Sequence, residues 1–103
     1  MRPVLHGDAV AAARALYRLP AAERGRMIGA LLMQAEAADA YRKRFGRGHP
    51  DWGNGSLMAL AENWELPPEP SLDDAEYCRC LAQVFGALAA WRDGKRGAVS
   101  SRC

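Results

Sequence analysis

The sequence predicts one all-α domain of four helices. Three observations lead there. Apolar residues recur at helical spacing, most clearly in Met27, Ile28, Leu31, Leu32, Ala35, Ala38 and Tyr41, which mark one face of a 3.6-residue period. Alanine, the best helix former, supplies about a fifth of the chain. The breakers Pro20, a stretch from Gly46 to Gly55, and Leu66-Pro67-Pro68-Glu69-Pro70 divide the chain into four helical runs. With 103 residues there is room for one core and no second domain. The expected division is a helical domain over 1–93 and a disordered basic tail over 94–103.

The first helix is expected over about 8–19, with Asp8 as N-cap and a narrow apolar face of Val10, Ala13, Leu16, Tyr17 and Leu19. Pro20 ends it and opens the second helix, about 20–44, because proline is tolerated in a first helical turn. Glu23 suits the positive end of that helix and Arg42, Lys43 and Arg44 the negative end, with Gly46 as terminator. Gly25 and Gly29 share one face and weaken the helix interior. They imply close packing of the first or last helix, or a dimer seam. Ser56 caps a short third helix over about 56–65. The proline-rich connector is extended. Ser71 with Asp74 resembles a capping box for a fourth helix over about 72–92. Its apolar residues cover most of its circumference, so it is expected to be central or shared with a partner. The second and fourth helices are expected to form the main packing pair.

Between the second and third helices lies a structured loop, 45–55, with four of the chain's ten glycines in Gly46, Gly48, Gly53 and Gly55. Glycine opens backbone angles closed to other residues, and Pro50 presses His49 towards an extended conformation. Loops held on a rigid scaffold carry function disproportionately. The candidate contact residues are therefore Arg44, Arg47, His49, Trp52, Asn54 and Ser56.

The formal charge of +2 says little, but its distribution says more. Arg42, Lys43, Arg44 and Arg47 form a basic run, whereas Glu62, Glu65, Glu69, Asp73, Asp74 and Glu76 form an acidic stretch. The simpler reading is solvation of the surface and partial mutual neutralisation. The sharper one is a basic patch for phosphates or an acidic partner. The start Met1-Arg2-Pro3-Val4-Leu5-His6-Gly7 has no apolar region long enough for export, and no window approaches the roughly 18 apolar residues of a membrane span. Three cysteines without an export signal imply free thiols in the cytoplasm.

Catalytic and metal readings find little support. Cys78 and Cys80, two apart on a helix, point about 200° from each other and cannot readily share an ion, so they read as buried structural thiols. Cys78 or Ser56 with His49 and Asp51 makes a triad on paper, but no strand-turn-helix elbow presents it. His49 is expected instead to donate a hydrogen bond to the loop backbone. No metal, cofactor or catalytic residue is expected. Asn54-Gly55-Ser56 at a helix start resembles an anion site, although turn geometry alone explains its glycines. Trp52, Trp64 and Trp91 read as the main source of buried area rather than a stacking surface for nucleic acid. Helix-turn-helix fits poorly, because the loop is too long and the helix after it is acidic.

His49-Pro50-Asp51-Trp52-Gly53-Asn54-Gly55-Ser56-Leu57-Met58, followed by Tyr77-Cys78-Arg79-Cys80-Leu81 and Trp91-Arg92, resembles a group of short bacterial proteins catalogued as a domain of unknown function. The likeness covers about residues 5–92. It implies no activity or ligand, only that the loop and the last helix are features of the group.

The reading is therefore a non-catalytic, self-associating interaction or regulatory module with homo-oligomer or other protein partners. The alternative is a nucleic-acid or phosphate-binding accessory protein using the basic run 42–47 and the loop 46–56.

Overall fold

The structure, a computed structural model, describes residues 1–100, and their side chains from Met1 to Gly94. The expected disordered tail, 94–103, lies almost wholly outside those side chains and, from residue 101, outside the described residues. Four helices follow in order: α1 (His6–Tyr17), α2 (Ala21–Phe45), α3 (Leu57–Ala61) and α4 (Ala75–Ser100). Among the described residues there is no β-strand, only an isolated bridge between His49 and Gly53. No helix among them is long and apolar enough to cross a membrane.

Helix boundaries follow the caps, and two caps differ from expectation. α1 begins two residues before Asp8, with extended Leu5 (φ −104°, ψ 172°) as N-cap. Asp8 occupies the third helical position, and its Oδ2 accepts from the Leu5 N–H at 2.9 Å. α4 likewise starts after Asp74 rather than Ser71. Asp74 Oδ1 accepts from the Glu76 and Tyr77 N–H groups at 2.9 and 3.1 Å, while Ser71 Oγ closes the preceding turn on the Asp73 N–H. A carboxylate two residues before the first free N–H groups reaches them better than a distant hydroxyl. α2 starts at Ala21 behind extended Pro20 and stops at Gly46, whose φ of 72° belongs to the left-handed region. α3 is shorter than expected, because Asn63 and Trp64 donate to Leu60 and Ala61 and the chain tightens into three-residue turns.

The centre of the fold is α1, not the expected α2–α4 pair. α1 packs most extensively on α4 and then on α3, and it also touches α2. Ala9, Ala12, Ala13 and Leu16 join Ile28, Leu31, Leu32, Leu57, Leu60, Tyr77, Cys80 and Val84 in the main core. On its other side, Ala11 and Ala15 meet Ala61. Alanine permits close approach of neighbouring helices all round, so the apolar face is far wider than large residues alone indicate.

No tryptophan lies at the centre of the core, although Trp52 and Trp91 pack against it. The largest fully buried side chains are Tyr77, four leucines, Val84 and Cys80. Trp52 and Trp91 are half-buried, and Trp64 is 47% exposed. The expectation that tryptophans supply the buried area is therefore corrected. Of the two thiols expected to be buried, Cys80 is and Cys78 is exposed. Burial pushes the Cys80 thiol up from its ordinary range.

The close packing expected at Gly25 and Gly29 is also absent. A methyl on Gly25 would meet only the Gln83 amide at 3.5 Å, and one on Gly29 would meet nothing within 4 Å. Arginines fasten the ends instead. Buried Arg24 donates through Nε to the Leu16 and Leu19 carbonyls at the end of α1 and through its guanidinium to Glu76 on α4. Arg14 Nε donates to the Pro67 carbonyl at 2.7 Å, holding the proline-rich connector. Tyr77 donates to Glu69 at 2.8 Å; burial, then that carboxylate, pushes its phenol up to about 12.

Asp8→Ala leaves two backbone donors without their acceptor and is expected to lower stability by about 3 kcal/mol, read by urea unfolding. Asp8→Asn, which keeps an acceptor, should lose about half as much. Gly29→Ala meets open space inside a helix and should raise stability by about 1 kcal/mol. A loss there would show that the helices do approach closely at that point.

Candidate functional site

The loop between α2 and α3 is a tight construction. His49 N–H donates to the Gly53 carbonyl at 2.7 Å, and Gly53 N–H returns to the His49 carbonyl at 3.0 Å. Inside that closure His49 Nδ1 accepts from the Asp51 and Trp52 N–H groups at 3.0 and 3.1 Å. The ring nitrogen thus accepts where a donor is expected, and it plays the part that an aspartate side chain plays in an Asx turn. The ring stacks on Trp52 (4.7 Å, 11°) and meets Tyr41 edge-on (4.9 Å, 66°). Phe45 tilts against Tyr41 at 4.6 Å. An aromatic ladder therefore ties the loop to the end of α2.

The second half of the loop is committed to the fold. Asn54 Oδ1 accepts from the Ser56 N–H at 3.0 Å, and Ser56 Oγ caps α3 through the Ala59 N–H at 3.1 Å. The structural capping read for this helix start is what the structure shows, and Asp8 Oδ1 adds to it by accepting from the Met58 N–H at 2.9 Å. Gly55 (φ 91°) lies flat on α2, where a methyl would come within 2.6 Å of Asp39 Cβ. No other residue fits that contact.

Asp39, buried under Gly55, reorganises the basic run. Its Oδ1 receives Arg42 at 2.7 Å, and its Oδ2 lies 3.1 Å from the Lys43 ammonium and 3.6 Å from the Met1 amino group. Glu36 receives that same amino group. The Arg42 hydrogen bond, aided by Lys43, overcomes burial and holds the Asp39 carboxyl down at about 2. The expected neutralisation between basic run and acidic stretch takes other routes. Glu76 pairs with Arg24 and Arg79, and Asp74 receives the Tyr17 hydroxyl, which draws its carboxyl below the usual range.

Of the six expected contact residues, the structure brings His49 and Trp52 together. It assigns Asn54 to a turn and Ser56 to a cap. Arg44 lies over the Phe45 ring at 5.4 Å, and Arg47 is exposed. The sequence reading missed Trp64. Trp52, Trp64, Gln34, Leu60 and Asn63 line a hollow of about 300 Å³. Gln34 and Trp64 also border a longer groove of about 450 Å³ with Leu19, Met27, Ala30 and Leu31 along α2. A tryptophan standing between a short helix and a proline run was the available signal.

This is a small helical domain with an aromatic-edged outer groove. The chain belongs to the family described as Domain of unknown function (DUF7742), whose pattern matches residues 2–88. The resemblance to a domain of unknown function is borne out, with the loop, the groove and the first half of α4 inside the match. No curated protein and no solved structure matches the chain.

Because Asp39 is held down at about 2 against an unfolded value near 4, its contribution is full above about pH 4 and is lost as pH falls towards 2. Asp39→Asn should remove that segment of the acid-unfolding curve while lowering stability at neutral pH. Urea midpoints measured across pH 2–7 for both chains check this. Parallel curves would show that Asp39 is not the group responsible.

Proposed function

We propose that the protein is a non-catalytic interaction module of the bacterial cytoplasm that associates with itself and presents the loop 46–56 and its neighbouring groove to protein partners. One observation carries the reading. Large apolar side chains remain outside a small fold, with Leu5, Met33, Phe45, Trp64, Leu72 and Phe85 between 47% and 68% exposed. Exposed apolar area of this kind marks contact surfaces when it gathers in patches. Trp64 gathers with Trp52 along one groove, beside the aromatic ladder of the loop. The exposed free thiol of Cys78 suits a reducing compartment.

The nucleic-acid alternative draws less support. Two cations of the basic run, Arg42 and Lys43, are engaged by Asp39, which leaves Arg44 and Arg47 for phosphates. A binding site of two cations gives weak, strongly salt-dependent affinity.

Light scattering of the pure chain at about 50 mM and about 500 mM salt, with and without a generic DNA duplex, separates the two. The expected result is a mass of at least twice the chain, indifferent to salt and to DNA. A monomer that binds the duplex and releases it at high salt would overturn the reading and promote Arg44 and Arg47.

A further inference from the structure

We propose that the hollow between Trp52 and Trp64 binds a quaternary ammonium group, of the kind carried by a small choline-like solute. The inference goes beyond the self-association argued above and does not depend on it. The two indoles line a space of about 300 Å³ together with buried Leu60, and Gln34, Asp51 and Asn63 are its polar members. That size lies at the small end of ligand sites. Among the described residues that line it, none is a lysine, an arginine or a histidine.

Both walls are positioned by local hydrogen bonds. The Trp52 N–H is held by His49 Nδ1 at 3.1 Å, and the His49 ring covers one face of the indole at 4.7 Å. The side that Trp52 gives to the hollow is therefore the other one. Trp64 follows α3 in a turn closed by its own N–H on the Ala61 carbonyl at 3.0 Å. Asn63 Nδ2 reaches the Asp51 carbonyl at 3.4 Å, a long contact that joins the turn to the loop. The site is thus assembled before any ligand arrives.

Charge decides the class of ligand. The Asp51 backbone serves the loop, but its carboxylate enters no ion pair or side-chain hydrogen bond among the described residues. Indole is the ring whose face attracts cations most strongly. Two such rings and one spare carboxylate, with no base beside them, make a site of one sign. Arg26, the base of the adjoining groove, stands eight residues before Gln34, about 12 Å away along α2.

The lining also selects among cations. A primary ammonium is strongly hydrated and carries three donors, and the hollow offers it one carboxylate and two amides in exchange for its water. A fully alkylated ammonium has no N–H to satisfy and an apolar skin, so indole and Leu60 suit it. Anions are repelled by Asp51, and neutral apolar solutes gain nothing from it.

Tryptophan fluorescence of the full chain, titrated with choline chloride at constant ionic strength, tests this. The wild-type chain should show saturable binding with a Kd on the order of 1–10 mM, the range open to a ligand of so few atoms. The neutral isostere, with carbon in place of the ammonium nitrogen, should bind at least about tenfold more weakly. Asp51→Asn and Trp64→Leu should each weaken choline about tenfold, with helical circular dichroism unchanged because both side chains are exposed. Asp73→Asn removes another exposed acid, outside the hollow, and should leave the Kd within about twofold. Equal affinity for the neutral isostere would overturn the proposal, as would choline binding that ignores the Asp51 and Trp64 changes. A titration without saturation below about 100 mM would overturn it too. Binding to phosphatidylcholine vesicles with no response to free choline would assign the hollow to a membrane surface and overturn the solute. Any of these failures leaves self-association standing, since light scattering reads that separately.

Discussion

The two oxygens of one buried carboxylate hold the ends of two helices. Asp8 takes the Leu5 N–H at the start of α1 with Oδ2 and the Met58 N–H at the start of α3 with Oδ1. Both donors are orphans that no helix can satisfy internally, and a negative charge is favoured at each positive end. α3 has only five residues and could not persist as an isolated helix. Its place is set by Asp8 and by the burial of Leu57, Leu60 and Ala61 against α1 and α2. Once α3 is fixed, the loop has two anchored ends. Gly55 then has to cross α2 in contact with Asp39, and the left-handed angle of that glycine follows from the crossing.

Three polar side chains are buried in the described core, Asp8, Arg24 and Asp39, and each sits at a helix end or under a backbone crossing. Asp8 faces N–H groups and Arg24 faces carbonyls, so each complements the dipole end it meets. Asp39 has no helix end to answer it and gathers cations instead. Arg42 and Lys43 stand three and four residues on, the positions that share a helix face with it. The basic run at the end of α2 therefore has two halves with different work. Its first two members neutralise a buried acid, and the later two face solvent. A charge count along the sequence treats the four alike, which is why a phosphate patch looks stronger on paper than in three dimensions.

The sequence made the four helices and their breakers legible, because Pro20, Gly46 and the 66–70 prolines act locally. It also marked the loop as shaped, through the same local rules. The centre of the fold was not legible. Periodicity weighs large apolar residues, and α1 is buried chiefly through alanines that signal nothing by size. The caps at Leu5 and Asp74 were displaced because side chains reach different N–H groups once tertiary contacts intervene. Asn54 and Ser56 looked like binding residues since turn and cap chemistry uses the same side chains as anion recognition. Trp64 was misassigned because α3 ends at Ala61, and the turns after it set the ring on a groove along α2 rather than in the core.

That last point links the core to the surface. Helices drawn together by alanine fully enclose one ring at the centre, that of Tyr77, while Tyr17, Trp52 and Trp91 pack against the core from its rim. Trp64 borders the groove along α2, and Phe45 and Phe85 stand about half exposed. The monomer then buries little area per residue while exposing rings that water solvates poorly. The alanine that makes α1 the hub of the fold recurs at Ala82 and Ala89, where it is exposed on α4. The composition that limits the core thus leaves large apolar side chains at the surface.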